Sequence, residues 1–385
     1  MWKETGTNFH SSPFQQLVFC KLRTHQWCFM LFNVALFHIL LFGADLVEEY
    51  FLQAIPTTYM DTKVLGARER ARTLDMSSMK SNISKAFVIS NPGACSKREI
   101  FLLVLIFSSP QNLSRRNAIR KTWANVTRKP GYTTLVLFVL GKPPSATAQV
   151  EVIKESDQQQ DLIQGIFLDT PENQTLKIKA AIEWTVTYCP EARFILKVDE
   201  DMFANLQTLA EYLLNLRTHP EDIYLGRVIH PNAPNKESHN GSFTTLRKYP
   251  GRYYPDYCSA AALVISQDVA RKIYVTSAGV SPSLPPGIFL GVCARAAGVV
   301  PIHSSRFSGE RRIWYNRCCY KYIFTSTVSE TSQLLQEWKE MESDEDCTLL
   351  ETYYGLVSCK IMTYLDGLKD SSVNAIQKEA PSFAD

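Results

Sequence analysis

No block of consecutive basic residues occurs in the 385-residue chain, and its net charge of +3 is spread over both signs. That excludes the electrostatic footprint with which proteins track a nucleic-acid backbone, so nucleic acid is not an expected partner. No pair of CxxC motifs is present, which removes the usual ligand spacing of a zinc ribbon. Nor is there an internal repeat. What is present, 45% apolar and 21% charged residues, is the composition of a globular chain that can bury a sizeable core in one large domain or two ordinary ones.

Trp27 to Ala44 reads WCFMLFNVALFHILLFGA, 18 residues without a formal charge. A helix that spans a bilayer needs roughly 17 to 25. Lys21, Arg23 and His25 precede the run, and Asp45, Glu48 and Glu49 follow it. The positive-inside rule then makes residues 1–26 a cytosolic tail, 27–44 a transmembrane anchor, and the rest luminal or extracellular. A cleaved secretory signal is the alternative, although its apolar core is usually about 7 to 15 residues. Removing Cys20 and Cys28 from the ten cysteines leaves eight beyond the membrane, an even set that suits disulfides. Sequons at Asn82, Asn112, Asn125, Asn173 and Asn240 agree with a secretory compartment.

Residues 45–95 carry RERAR at Arg68 to Arg72 and no sustained apolar period, and they read as a stem. Ile100–Phe107 (IFLLVLIF) and Thr133–Gly141 (TTLVLFVLG) read as buried strands of a sheet covered on both faces. Between them, Asn112–Trp123 reads as a helix that Ser114 could cap, with Arg115, Arg116 and Arg120 in its opening turns. Leu176, Ala180, Trp184 and Tyr188 recur at helical spacing ahead of strand FILKV, and AALVI, Ala261 to Ile265, fits a later strand. The alternation predicts an α/β layered domain over residues 96–328. Beyond it, residues 329–385 read as a helical extension with Leu334, Leu335, Trp338 and Met341 on one face. Its acidic polar face argues against adsorption to anionic lipid.

Asp199-Glu200-Asp201 follows the buried strand directly, whereas the identical Asp344-Glu345-Asp346 follows a polar stretch. Open α/β sheets bind ligands at the carboxyl ends of their strands. There, carboxylates separated by one residue can share a magnesium or manganese ion that bridges phosphate oxygens. The competing reading is that Asp201 caps a helix through Leu206–Leu216. For Arg116 and Arg120 it is a solvated helix face.

RRNAIRKTW (Arg115–Trp123), FVLG (Phe138–Gly141), DLIQGIFLDTPENQTLK (Asp161–Lys177), FILKVDEDMF (Phe194–Phe203) and YYPDYCSAAALVIS (Tyr253–Ser266) occur in this order. Together they resemble the β-1,3-galactosyltransferase and β-1,3-N-acetylglucosaminyltransferase family, glycosyltransferase family 31, over about Arg98 to Phe307. The resemblance implies an α/β GT-A fold, a mixed sheet with helices on both faces, behind a single membrane helix and stem. It further implies a Golgi type II membrane enzyme that moves galactose or N-acetylglucosamine from a UDP-sugar to a glycan acceptor, in β-1,3 linkage with inversion and with manganese. Asp201 then contacts the metal directly, Asp199 serves the metal and the nucleotide or ribose, and Glu200 is a donor-binding residue beside them. Glu200 completes the triplet, Arg116 and Arg120 lie near the donor, and His303 falls where the family has a histidine metal ligand. Self-association or pairing with other transferases is also compatible.

The sequence departs from the family at PPGIFLGVC, Pro285 to Cys293, where Pro286 and Gly287 replace an acidic pair whose carboxylate is the family's general base. The glycine-rich turn after YCS is here Ala260-Ala261-Ala262. Asp256 is the one new carboxylate nearby, a candidate substitute base or a turn residue after Pro255. Three readings follow: an active transferase with an unusual base, an impaired member that binds nucleotide sugar or glycan, and a structural membrane glycoprotein. Cys95 with Cys189 and Cys258 with Cys293 are the expected disulfides, and adjacent Cys318 and Cys319 are expected to reach different partners.

Overall fold

The computed structural model describes residues 24–51, 61–75, 84–96, 99–125, 132–216, 221–231, 253–342 and 347–379. Asp344–Asp346 and the sequons at Asn82 and Asn240 lie outside these residues. The chain divides into two units, residues 1–47 and residues 48–385. The first contains α1, Thr24–Leu46, whose apolar side chains are largely exposed. Within Gln26–Glu49 lies the one helix among the described residues that is long and apolar enough to cross a membrane.

The second unit runs α2 (Thr62–Arg72), β1 (Phe87–Ile89), β2 (Leu102–Phe107), α3 (Leu113–Lys121), β3 (Thr134–Lys142), α4 (Ala146–Gln159) and β4 (Leu162–Leu168). It continues with α5 (Gln174–Tyr188), β5 (Phe194–Asp199), β6 (Met202–Ala204), α6 (Leu206–Leu214), β7 (Tyr224–Ile229) and β8 (Tyr257–Ser266). Last come α7 (Gln267–Ser277), α8 (Pro286–Ala296), β9 (Ile302–His303), α9 (Arg317–Tyr322), β10 (Thr325–Thr327), α10 (Thr331–Met341) and α11 (Leu349–Glu379).

Eight of the described strands form one mixed sheet in the order β1-β4-β3-β2-β5-β8-β7-β9. β2 pairs in parallel with both β3 and β5, whereas β8 is antiparallel to β5 and β7. β2 is buried along its whole length, and its alternate side chains enter two cores. Leu103, Leu105 and Phe107 pack with α5, α7 and α8, while Leu102, Val104 and Ile106 pack with α3, α6 and α10. Covering both faces is what makes the continuous apolar strands LLVLIF and FILKV tolerable.

Several elements differ from expectation. Part of the expected stem is built into the domain: Ala67 and Ala71 of α2 are buried, and the Arg68 guanidinium reaches Asp222 at 2.7 and 3.1 Å. β1 adds an edge strand to β4. β4 itself hides in the sequence because Gln164 is fully buried mid-strand, where its amide donates to the Gly141 carbonyl at 2.9 Å and exchanges bonds with Gln149. Asn112, not Ser114, occupies the N-cap of α3. The buried face of α5 is wider than the expected stripe: Trp184 is fully buried as expected, Ala180 and Tyr188 are partly buried, and Ile178, Ala181, Ile182 and Thr185 are buried with them. On α10, Leu334 is buried but Leu335 is exposed, and Trp338 and Met341 complete the contact.

Cys95 bonds Cys189, Cys318 bonds Cys347, and Cys319 bonds Cys359. The expected Cys258–Cys293 bridge is not formed, and both residues are buried free thiols. The Cys258 sulfur faces the Tyr224 carbonyl at 3.7 Å, and Thr276 bonds Cys293, so the two thiols have separate partners. Burial pushes both thiols up, Cys293 to about 12, which keeps them protonated and inert.

Trp184 links the segment before β2 to the core: it is fully buried and donates through Nε1 to the Ser90 carbonyl at 2.5 Å. Trp184→Ala should lower stability by about 3–5 kcal/mol, read from chemical unfolding of the detergent-solubilised full chain. Mass mapping without reduction should find Cys258 and Cys293 as free thiols and the other three pairs bridged.

Candidate active site

β2 and β5 run in parallel register to their last residues, Phe107 opposite Asp199, so both strands deliver their following turns to one edge of the sheet. A cavity of about 680 Å³ opens there, lined by the acidic triplet, the 108–109 turn, Lys177, Tyr257, the Pro285–Ile288 turn and Glu310. Asp201 does not cap a helix, since Asn205 caps α6 by accepting from the Thr208 N–H at 3.1 Å.

The three acidic residues have three different settings. Glu200 is committed to structure, accepting from Ser108 Oγ at 2.5 Å, Ser109 N at 3.1 Å and Asn112 Nδ2 at 2.6 Å. Asp199 is half-buried, and the Lys197 ammonium lies 2.5 Å from its Oδ1. Burial pushes its carboxyl above the usual range, Lys197 opposes that, and Asp201 adds to it. Asp201 is exposed to the cavity, while its backbone carbonyl accepts from Val328 N at 2.7 Å.

Two lysines offset part of the cavity's negative charge. Lys197 is buried, donates to the Ala260 carbonyl and sits 4.7 Å from the Phe107 ring centroid. Lys177 is buried too, bonding Asp169 at 2.7 Å and the Ser108 carbonyl at 3.1 Å, and burial pushes its ammonium below the usual lysine range. Neither lysine was singled out from sequence. Lys197 carried a signal, as a cation two residues before Asp199 on the same face of a buried strand.

The arginines do not line the cavity. Arg116 is fully buried and grips Glu155 of α4 with Nε at 2.8 Å and Nη2 at 2.6 Å. Its Nη1 donates to Ser108 Oγ at 3.0 Å and the Ser109 carbonyl at 2.6 Å, so it supports the cavity turn from behind. Arg120 bonds Glu155 and Asp161. Burial raises Glu155, but these two guanidiniums outweigh it and hold the carboxyl below its usual range.

His303 and Asp256 are also placed elsewhere. His303 is buried on β9, beside Gly226 of β7, and its Nδ1 accepts from Val228 N at 3.3 Å. It does not line the cavity, and the residue that β10 sets opposite Met202 is Thr327. Asp256 stands outside the lining with its carboxylate 3.1 Å from His230 Nδ1.

Among the described residues no three His, Cys, Asp or Glu side chains cluster as a metal site. Asp199 and Asp201 are nevertheless hard oxygen donors on one cavity wall. That donor set fits a divalent cation arriving with a diphosphate, whose oxygens and water complete the shell, rather than an ion held by protein alone.

Pro286 occupies the first position of α8, where its fixed φ and missing N–H suit a helix start. A Cβ on Gly287 would stand 2.7 Å from Tyr257 Cδ2, so the ring of Tyr257 occupies the space an acidic side chain there would cross.

The family model described as Galactosyltransferase matches residues 114–305. The chain is 54% identical over 370 residues to Beta-1,3-galactosyltransferase 9 of Homo sapiens, covering 96% of this chain and 100% of that protein. It is 34% identical to Lactosylceramide 1,3-N-acetyl-beta-D-glucosaminyltransferase B of Xenopus laevis, covering 72% and 76% of the two chains. Among solved structures, galactosyltransferase LgtC in complex with donor and acceptor sugar analogs is similar at a TM-score of 0.34 and 10% identity, over 63% of this chain and 98% of that one. The chain belongs to the galactosyltransferase family of hexosyltransferases, among β-1,3-glycosyltransferase relatives.

Arg116→Ala should destabilise the chain by less than the about 3–5 kcal/mol of a wholly stranded buried charge, because Arg120 still pairs Glu155. Arg116→Lys should recover only part of that, since an ammonium cannot reproduce the planar fork. Urea unfolding of the two variants beside wild type checks both.

Proposed function

We propose that the chain transfers galactose or N-acetylglucosamine from a UDP-sugar to a glycan hydroxyl, forming a β-1,3 linkage with inversion. What carries the reading is the cavity at the shared ends of β2 and β5, in a chain of this family, with the acidic triplet on one wall. Its size suits a nucleotide sugar.

In this reading Asp201 holds the manganese ion and Asp199, oriented by Lys197, meets the ribose or the cation's second face. When bound, manganese supplies positive charge against the departing diphosphate. Lys197 offsets Asp199 and Lys177 offsets Asp169, which leaves the rest of the triplet's charge for a cation to meet. Glu200 binds nothing; it fastens the Ser108–Ser109 turn beneath the donor. The acceptor enters past Tyr257 and the first turn of α8. Residues 1–26 then lie in the cytosol, and the catalytic unit faces the Golgi lumen.

A second reading, a member that binds nucleotide sugar without efficient transfer, is favoured by one observation. Pro286 and Gly287 line the cavity and cannot take a proton.

Calorimetric titration of UDP into the detergent-solubilised full chain, with and without manganese, tests the donor site. Metal-dependent binding should appear and should weaken at least about tenfold, or 1.4 kcal/mol, in Asp201→Ala. No UDP binding by the folded chain would sink the reading.

A further inference from the structure

Five carboxylates line the cavity: Asp169, Asp199, Glu200, Asp201 and Glu310. Three are engaged, Asp169 by Lys177 at 2.7 Å, Asp199 by Lys197 at 2.5 Å, and Glu200 by its three donors. Asp201 stands in the triplet, on the wall assigned to the diphosphate. Glu310 belongs to neither group. It follows Gly309, whose φ of +67° marks a turn that a side chain would strain, and its own side chain is exposed to the cavity.

Glu310 lines the same cavity as Tyr257, Pro286 and Gly287, the last two standing where the acidic pair is missing. Burial and then the Glu310 charge raise the Tyr257 phenol.

We infer that Glu310 is the general base of the transfer, replacing a carboxylate that the first turn of α8 does not carry. The inference rests on the transferase reading above. As the acceptor oxygen bonds to the anomeric carbon of the donor sugar, the bond from that carbon to the diphosphate oxygen breaks. The electron pair leaves with UDP, and the acceptor proton passes to the Glu310 carboxylate. No oxidant, reductant or further reactant is needed. Glu310 lies outside residues 114–305, so the family's matched segment does not contain this group.

The test measures UDP release by the full chain from UDP-galactose and UDP-N-acetylglucosamine, with benzyl β-galactoside and benzyl β-N-acetylglucosaminide as acceptors. Glu310→Gln should lower kcat by about a hundredfold to ten-thousandfold, the usual worth of a positioned base. KM for the donor, UDP affinity and thermal unfolding should stay at their wild-type values. Added formate should restore part of the rate to Glu310→Ala, which a merely structural role would not allow, and Asp256→Asn should turn over near the wild-type rate. A wild-type chain that turns over while Glu310→Gln keeps pace overturns the base alone. A wild-type chain that binds UDP but consumes neither donor overturns the transferase reading and the base with it.

Discussion

The carboxylate of Glu200 ties the end of β5 to the turn that follows β2, and the cavity depends on that tie. Its partners, Ser108, Ser109 and Asn112, lie 88 to 92 residues earlier in the chain. Sheet pairing alone brings Phe107 beside Asp199, but it leaves the turns after both strands free to diverge. Glu200 closes that gap, and Arg116 closes it from the other side by holding Ser108 Oγ and the Ser109 carbonyl. Glu155, from α4, pins Arg116 in turn. A buried relay thus runs from Glu155 through Arg116 and Ser108 to Glu200, fully hydrogen-bonded along its length. Such a relay is costly to break at any single member, because the partner left behind stays buried.

The same relay explains why two kinds of acidic residue stand side by side. A carboxylate that accepts three hydrogen bonds is positioned but used up, so the middle residue of the triplet cannot also serve a cation. Asp199, the last residue of β5, and Asp201, in the turn after it, line the cavity without that triple engagement. Lys197 shares the face of Asp199 two residues earlier, which sets an ammonium against Asp199 and lowers the cost of bringing Asp199 and Asp201 close together. The Asn112 side chain, part of a sequon, is committed to Glu200, and that of Asn173 donates to the Leu168 carbonyl at 3.0 Å. A glycan on either would disturb the domain's own bonding.

Legibility followed burial closely. LLVLIF and FILKV were readable because a strand covered on both faces is apolar almost throughout, Lys197 excepted, and the triplet was readable because it follows one. β4 was not, since Gln164 finds its partners in Gln149 and Gly141, neither visible in a local pattern. α2 was read as stem because its buried face is only two alanines. The burial of the arginines was hidden for a related reason. A cationic face on an opening helix turn looks the same whether it meets solvent, a ligand or a buried carboxylate 39 residues downstream. Spacing also could not separate a disulfide from two unrelated buried thiols at Cys258 and Cys293. His303 and Asp256 fall outside the cavity lining, since proximity along the chain does not fix where in the fold a residue stands.

The departures at the start of α8 belong together physically. Proline at the first helical position suits the backbone there, whereas glycine at the second is required by the Tyr257 ring, which stands where a Cβ would be. Restoring a carboxylate at Gly287 would therefore force the ring or the helix to move, at about 1–3 kcal/mol for an overpacked site. Tyr257 is itself hemmed in, because a Cβ on Gly291 one turn later would meet its Cβ at 2.6 Å. With the ring fixed from below by α8, an acidic group reaches this part of the cavity most readily from another element. The turn at Gly309 supplies one. Tyr257, the first turn of α8 and Glu310 line one cavity, so α8 supports Tyr257 closely while the carboxylate is carried by the loop after Gly309.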